Sequence, residues 1–468
     1  MRKWLLLWSN FLAAQPDAYY ALWNLTLQPT QDTLTAWGWW YRSRVAFFRA
    51  VFPQTSQEIE DFPAIASLCE AHLTQLAGTD PFLADIYGQR AIYYGGRQRW
   101  WQAAYYAWQS WRHAHRSSPT HPLSQTWKGL WEILFATLPA PYRNWLWIQP
   151  ETRVQRGLEY LRRQALPPAE AAIEKAFLYF MVARMLELPV ESWLDTCQTI
   201  HFSQTSPPYL WQFMLALQAW EEGKSYAAES LLLRLTHMPQ IRRFPYPYYW
   251  LGKLYLYQGR LAEAERSWQA FVVRQVHPFG KVAQYAWRGY IAWLQGNSDE
   301  ARQLWRLAIA LPFSLWEEDG IARELAHQWL RWPPDDTEQR LWAGRWLAQF
   351  HRFTLAQDTL APLLNRSLTP IQRLLLFYTL GRLYHRQDSF SQAKQAYWKA
   401  LQGYSTPFRS STQAYAAFYL AQLYEQEARL DSAKQYYTLA LRYAEAAHRL
   451  GIARKARFAL LRLGSSLR

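Results

Sequence analysis

Gly223-Lys224-Ser225 matches the end of a phosphate-binding loop, where backbone N–H groups and a lysine hold phosphate oxygens. The first glycine of that motif would fall at 218, and Gln218 stands there. The tripeptide also lies where a helical hairpin must turn, so it is expected to be structural. His113 and His115 are two apart on an expected helix and point to different faces, which does not suit a shared metal. Glu324 and His327 have the i, i+3 spacing of di-iron helix bundles, but no second copy of the pair occurs. Cys69 and Cys197 fit no metal spacing. No HExxH, GxSxG or GxGxxG run is present, and no pair among the 36 acidic residues stands out as an acid–base couple. No catalytic residue, metal site or cofactor is therefore expected, and the chain is not read as an enzyme.

What remains is binding chemistry. Aromatic residues make up 17% of the 468, with 28 Trp and 30 Tyr, and such rings serve as core or as a contact face. The net charge is +15, carried mostly by scattered arginines. The densest basic stretch runs from Arg449 through Arg454, Lys455, Arg457 and Arg462 to Arg468, which reads as a capping helix over 446–468 or a contact for an acidic partner. No nucleic-acid motif accompanies the charge, so nucleic acid is not expected as a partner.

The elements that carry these residues are set by a repeat. Small residues fall at Ala216, Gly252, Gly289, Gly344, Gly381 and Ala421, in steps of 36, 37, 55, 37 and 40. Twelve residues after each comes an alanine: Ala228, Ala264, Ala301, Ala356, Ala393 and Ala433. Four further on stands a large apolar residue: Leu232, Trp268, Trp305, Leu360, Tyr397 and Tyr437. Small residues let two antiparallel helices cross closely, so Gly252 and Gly381 are expected to face Ala264 and Ala393. Gly223, Gly259 and Gly296 mark hairpin turns, with further turns near Ser389 and Ala428. The long step leaves room for one extra helix near 315–331.

On these residues the chain resembles the tetratricopeptide-repeat (TPR) family over roughly 205–445, best from Phe377 to Leu401. The resemblance implies an all-α, right-handed α-solenoid of TPR-like helical hairpins that binds partners on the first helices of successive hairpins. Residues 1–204 read as degenerate hairpins, one of them around Gly95-Gly96 with Ala104 and Trp108 in TPR-like places. A turn at Pro139-Ala140-Pro141 and a helix over Glu170–Leu188 are also expected. This half resembles a group of bacterial TPR proteins, often exported, through Lys128-Gly129, Leu138-Pro139, Tyr142 to Trp147 and Gly157-Leu158. A soft boundary is placed near Ser203–Pro208.

Counting from each small residue places Tyr249, Trp250, Lys253, Trp287, Tyr290, Trp293, Arg345 and Arg382 on one concave face. That face suits an extended or helical peptide with acidic groups. The function expected is a protein-interaction scaffold. The alternative is a structural subunit that self-assembles end to end through exposed terminal repeats. Residues 1–14 read either as a signal peptide, with Arg2-Lys3 before an apolar stretch, or as a first amphipathic helix. Export to the cell envelope and residence in the cytoplasm both stay open. No apolar run reaches the ~20 residues that span a bilayer.

Overall fold

The computed structural model describes residues 35–118, 121–136, 150–162, 182, 207–276, 279–312, 317–402, 411–447 and 450–465. The expected leader at 1–14, the Pro139–Pro141 turn and the Glu170–Leu188 helix lie outside them, Val182 apart. Among the described residues every regular element is helical. The chain divides into two units, residues 1–214 with 238–244, and residues 215–237 with 245–468.

In the first unit, α1 (Ala36–Val51) pairs with α2 (Ser56–Leu73), α3 (Asp80–Gly96) with α4 (Trp100–Arg116), and α5 (Pro122–Ala136) with α6 (Pro150–Arg162). Thr35 caps α1 through its hydroxyl, which accepts from the Gly38 N–H. Gly129 and Gly157 bring α5 and α6 to backbone contact, since a Cβ on either would lie under 3 Å from the other's carbonyl oxygen. A buried carboxylate joins α1, α3 and α5. Asp85 accepts from Trp40 Nε1 at 2.7 Å, Trp127 Nε1 at 2.8 Å and Gln89 Nε2 at 2.6 Å, and pairs with Arg44 at 3.2 Å.

The second unit continues from the end of α7 (Tyr209–Glu221) into α8 (Ser225–Thr236). Two hairpins and a single helix follow: α9 (Tyr246–Tyr257) with α10 (Leu261–Arg274), α11 (Lys281–Leu294) with α12 (Ser298–Ala310), and then α13 (Glu317–Arg331). Then come α14 (Asp336–Gln349) with α15 (Phe353–Leu360), α16 (Pro370–Arg386) with α17 (Phe390–Leu401), and α18 (Ser411–Gln426) with α19 (Leu430–Ala446). A last helix, α20 (Leu450–Ser465), packs on α19. Thr369, Pro370 and Gln372 start α16 with a capping box, and Asp335 caps α14. On α20, Ile452, Ala456, Ala459 and Leu463 are buried, while Arg457 and Arg462 pair with Glu445 and Glu425. Its arginines are thus partly consumed within the array.

One turn recurs. Gln98, Gly223, Gly259, Gly296, His351, Asp388 and Ala428 all have positive φ. The residue after each donates its N–H back to a carbonyl near the end of the preceding helix, as Arg260 does to Tyr255 at 2.8 Å and Asn297 to Ala292 at 2.8 Å. This is the Schellman closure, which satisfies helix-end carbonyls and reverses the chain. It corrects the expectation for α3 and α4. The helix runs through Gly95-Gly96 and turns at Gln98. The register is therefore carried by Ala91, Ala103 and Ala107, of which Ala91 and Ala107 are buried, whereas Ala104 and Trp108 are exposed.

Candidate functional site

The hairpins of the second unit are built outward from their small residues. Each lies seven positions before a positive-φ turn residue, which fixes where the two helices of a hairpin cross. A Cβ on Gly252 would sit 2.5 Å from Trp268 Nε1, on Gly289 2.5 Å from Trp305 Nε1, on Gly344 2.6 Å from Leu360, and on Gly381 2.5 Å from Tyr397. Each glycine therefore meets first the large residue sixteen positions on, and at Gly289 the backbone of the alanine twelve on follows at 3.1 Å. Trp268 and Trp305 donate their indole N–H to the carbonyls of Tyr249 and Ala286, both at 3.1 Å and both nineteen residues back. The same crossing, turn and offset repeat through the unit. The array is a TPR-like α-solenoid.

No protein-family model matches the chain, and no curated protein matches it in sequence. Among solved structures, a human IFIT1 dimer with m7Gppp-AAAA is similar over 93% of this chain and 94% of its own, at 16% identity and a TM-score of 0.36. The APC/C hetero-tetramer Cut9–Hcn1 is similar over 96% of this chain and 98% of its own, at 14% identity and a TM-score of 0.28. The TPR domain of P58(IPK) is similar over 90% and 99%, at 11% identity and a TM-score of 0.24. The TPR-like assignment stands on the repeated hairpin geometry.

The structure does not leave the expected eight residues on one open TPR groove. Tyr249, Trp287 and Tyr290 are buried core. The Tyr249 ring packs on Phe271 of its own hairpin. For Trp287 and Tyr290 the cause is α13, the extra helix, which lies against α11. Its Trp329 packs on Trp287 at 5.5 Å and Tyr290 at 5.2 Å between ring centroids. Its Asp319 accepts from the Gly280 and Ala283 N–H groups and so caps α11 from outside. Its Glu318 takes the Lys253 ammonium at 2.6 Å. Burial acts to lower the Lys253 pKa, but the Glu318 carboxylate outweighs it and the pKa is raised, so this lysine stays charged and paired. Trp293 donates to the Pro334 carbonyl at 2.9 Å and is only half-buried.

Contacts between hairpins distant in sequence close the same stretch further. Trp220 meets Trp250, Tyr257 and Phe350, and Tyr257 stacks on Trp346 at 5.2 Å. Gln349 Nε2 donates to the Trp220 carbonyl, and His351 fills the space beside Gly223. Gly223-Lys224-Ser225 is thus a packed turn. The other sequence candidates are also placed structurally: His113 Nδ1 bonds Asp80, His115 Nδ1 bonds the Trp111 carbonyl, and Glu324 and His327 are exposed.

Arg345 is exposed, with its guanidinium 5.3 Å from the Trp342 ring and 5.7 Å from Tyr378. Arg382, at the same register one hairpin on, lies 3.9 Å from the Tyr419 ring. Lys455 of α20 lies 5.9 Å from Tyr415. Arg386, one turn beyond Arg382, donates to the Gln349 carbonyl and side-chain oxygens at 2.8 Å. Burial first, and then Arg382, pull its pKa down to about 10. Burial, helped by Arg382 and Arg386, pushes His385 down to about 4, so the histidine is neutral near pH 7. Lys253, Arg345 and Arg382 each directly follow the small residue of their hairpin, which the sequence shows. That Trp220, Trp329, Trp346 and Phe350 fill the space between hairpins has no local signal.

Behind the rings lies a buried carboxylate. Glu338 accepts from Trp329 Nε1 at 2.6 Å and Trp342 Nε1 at 3.4 Å. Burial raises its pKa, and the two indole bonds only partly offset this. The folded-state pKa lies above the unfolded one. Its contribution to stability is therefore greatest below the unfolded value and is lost as pH rises through the folded value. Glu338→Gln keeps an acceptor and removes the charge. The variant is expected to match or exceed wild type in melting temperature at pH 7, with the difference shrinking as pH falls toward about 4.5. A difference independent of pH between 4.5 and 8 would contradict this.

Proposed function

We propose that the chain is a TPR-like interaction scaffold whose second unit binds an acidic, aromatic-bearing peptide segment along the face from Arg345 to Tyr415. The observation that supports this reading is Arg345. It is exposed, lies within cation–π range of two rings, and among the described residues has no carboxylate partner. A guanidinium held over rings keeps N–H donors for bidentate contact with a carboxylate. Arg382, half-buried one hairpin on, adds a second guanidinium over a ring, that of Tyr419. Of the remaining residues, Trp250 is half-buried and lines the rim of the closed stretch.

Selection of a displayed random-peptide library on the full chain tests this. Peptides rich in Asp or Glu with Trp, Tyr or Phe are expected to enrich. Arg345→Ala is expected to weaken a selected peptide at least tenfold, about 1.4 kcal/mol, and by less as salt rises. No sequence preference, or affinity unchanged in both Arg345→Ala and Arg382→Ala, would reject the proposed face. Stronger competition by a short RNA than by the acidic peptide would assign the arginines to phosphate instead. Light scattering on the same samples reads end-to-end self-assembly, the structural alternative, as growth with concentration.

A further inference from the structure

The first unit carries a second surface with a different composition. On α4, Ala107, Ser110 and Ala114 are buried against the rest of the unit. On the opposite side Trp101 is 85% exposed, Tyr105 56% and Trp108 48%, with Trp100 at the helix start 56% exposed. Positions 101, 105 and 108 follow the i, i+4, i+7 spacing of one helix face. Four large rings on one helix are a costly exposure for a surface with no partner. No acidic residue occurs between Asp85 and Glu132, while Arg97, Arg99, Arg112 and Arg116 lie in or beside the helix. Arg99 and Arg116 are exposed, and Arg112, one helical turn after Trp108, is half-buried.

We propose that this face of α4 seats on an anionic lipid surface. Trp and Tyr are the side chains that settle at the headgroup level of a bilayer, with an apolar body and a polar N–H or O–H. A helix lying in the interface plane buries its aromatic face while flanking arginines meet lipid phosphates and carboxylates. Along the chain this stretch carries no acidic side chain, and the two carboxylates that reach α4 from neighbouring helices, Asp80 and Glu132, lie on His113 and His115, which leaves the arginines as the complementary charge such a surface requires. The contact is peripheral and rests on a different unit from the peptide face, so each stands without the other.

Co-sedimentation of the full chain with vesicles tests it. Binding is expected to vesicles of phosphatidylcholine mixed with phosphatidylglycerol, to fall as salt rises, and to be at least tenfold weaker to phosphatidylcholine alone. Trp101→Ser with Trp108→Ser is expected to lower partition to the anionic vesicles at least tenfold without a change in melting temperature. Trp101→Ser alone, at the most exposed ring, serves if the double variant folds poorly. Arg112→Gln and Arg116→Gln should each cost about fivefold. Equal pelleting with both vesicle types, or ring variants that pellet like wild type, would overturn the proposal. So would rings that prove to hold the chain together in dimers, seen as loss of an oligomer with no vesicle binding in wild type.

Discussion

Asp85→Ala is expected to destabilise the first unit by about 3–5 kcal/mol, the cost of breaking a buried ion pair by removing one member. Asp85 and Arg44 are both almost fully buried, and their side chains meet at 3.2 Å. Alanine would leave that guanidinium uncompensated in the interior. It would also orphan the N–H groups of Trp40 and Trp127, each now bonded to Asp85. Because Trp40 is on α1 and Trp127 on α5, the loss would loosen three hairpins together. Asp85→Asn keeps an acceptor for the indoles but not the charge, and should fall between alanine and wild type. Hydrogen exchange of the α1, α3 and α5 amides reads the first unit separately from the second. Protection in Asp85→Ala equal to wild type would show that the carboxylate does not organise this core.

Gly289→Val is expected to cost about 3 kcal/mol through overpacking. A Cβ there would lie 2.5 Å from Trp305 Nε1, 2.6 Å from its Cδ1 and 3.1 Å from the Ala301 backbone oxygen. The indole cannot swing aside without giving up its bond to the Ala286 carbonyl. The chain itself indicates the remedy. In its first array hairpin the same offset joins Ala216 to Leu232, a smaller partner, with both residues buried. Gly289→Ala combined with Trp305→Leu should therefore lose less stability than the sum of the two single changes. Thermal melts of the four proteins form the cycle. Strict additivity would mean that this glycine and tryptophan do not share a crossing.

The recurring small residue, the alanine twelve on and the large residue sixteen on are local facts, and they were enough to determine hairpins, turns and an all-α array. A helix crossing at close range tolerates only small side chains, so composition at those positions carries geometry. The turns at Ser389 and Ala428 were equally legible, although the positive φ falls on Asp388 and Ala428 themselves. The same counting sets Arg345 and Arg382 directly after the small residues of their hairpins. The register slipped in α3 and α4, where alanines crowd and tryptophans stand both in and out of the core. Counting identical residue types there cannot distinguish Ala103 and Ala107 from Ala104 and Trp108; only the turn at Gln98 does.

What the rings do was decided by tertiary structure alone. TPR-like counting assigns Tyr249, Trp287 and Tyr290 to a partner-facing side of the first helices, yet all three are buried. The extra helix α13 covers Trp287 and Tyr290. The sequence shows room for that helix in the 55-residue step, but its docking depends on Trp329, Asp319 and Glu318 meeting residues more than thirty positions away. The same holds for Trp220 against Phe350, rings on hairpins far apart in the chain. Periodicity along a chain reports which side of a helix is apolar. Whether that side meets solvent, a partner or the chain's own distant helix depends on the summed rotation of several hairpins, and no single repeat contains that sum.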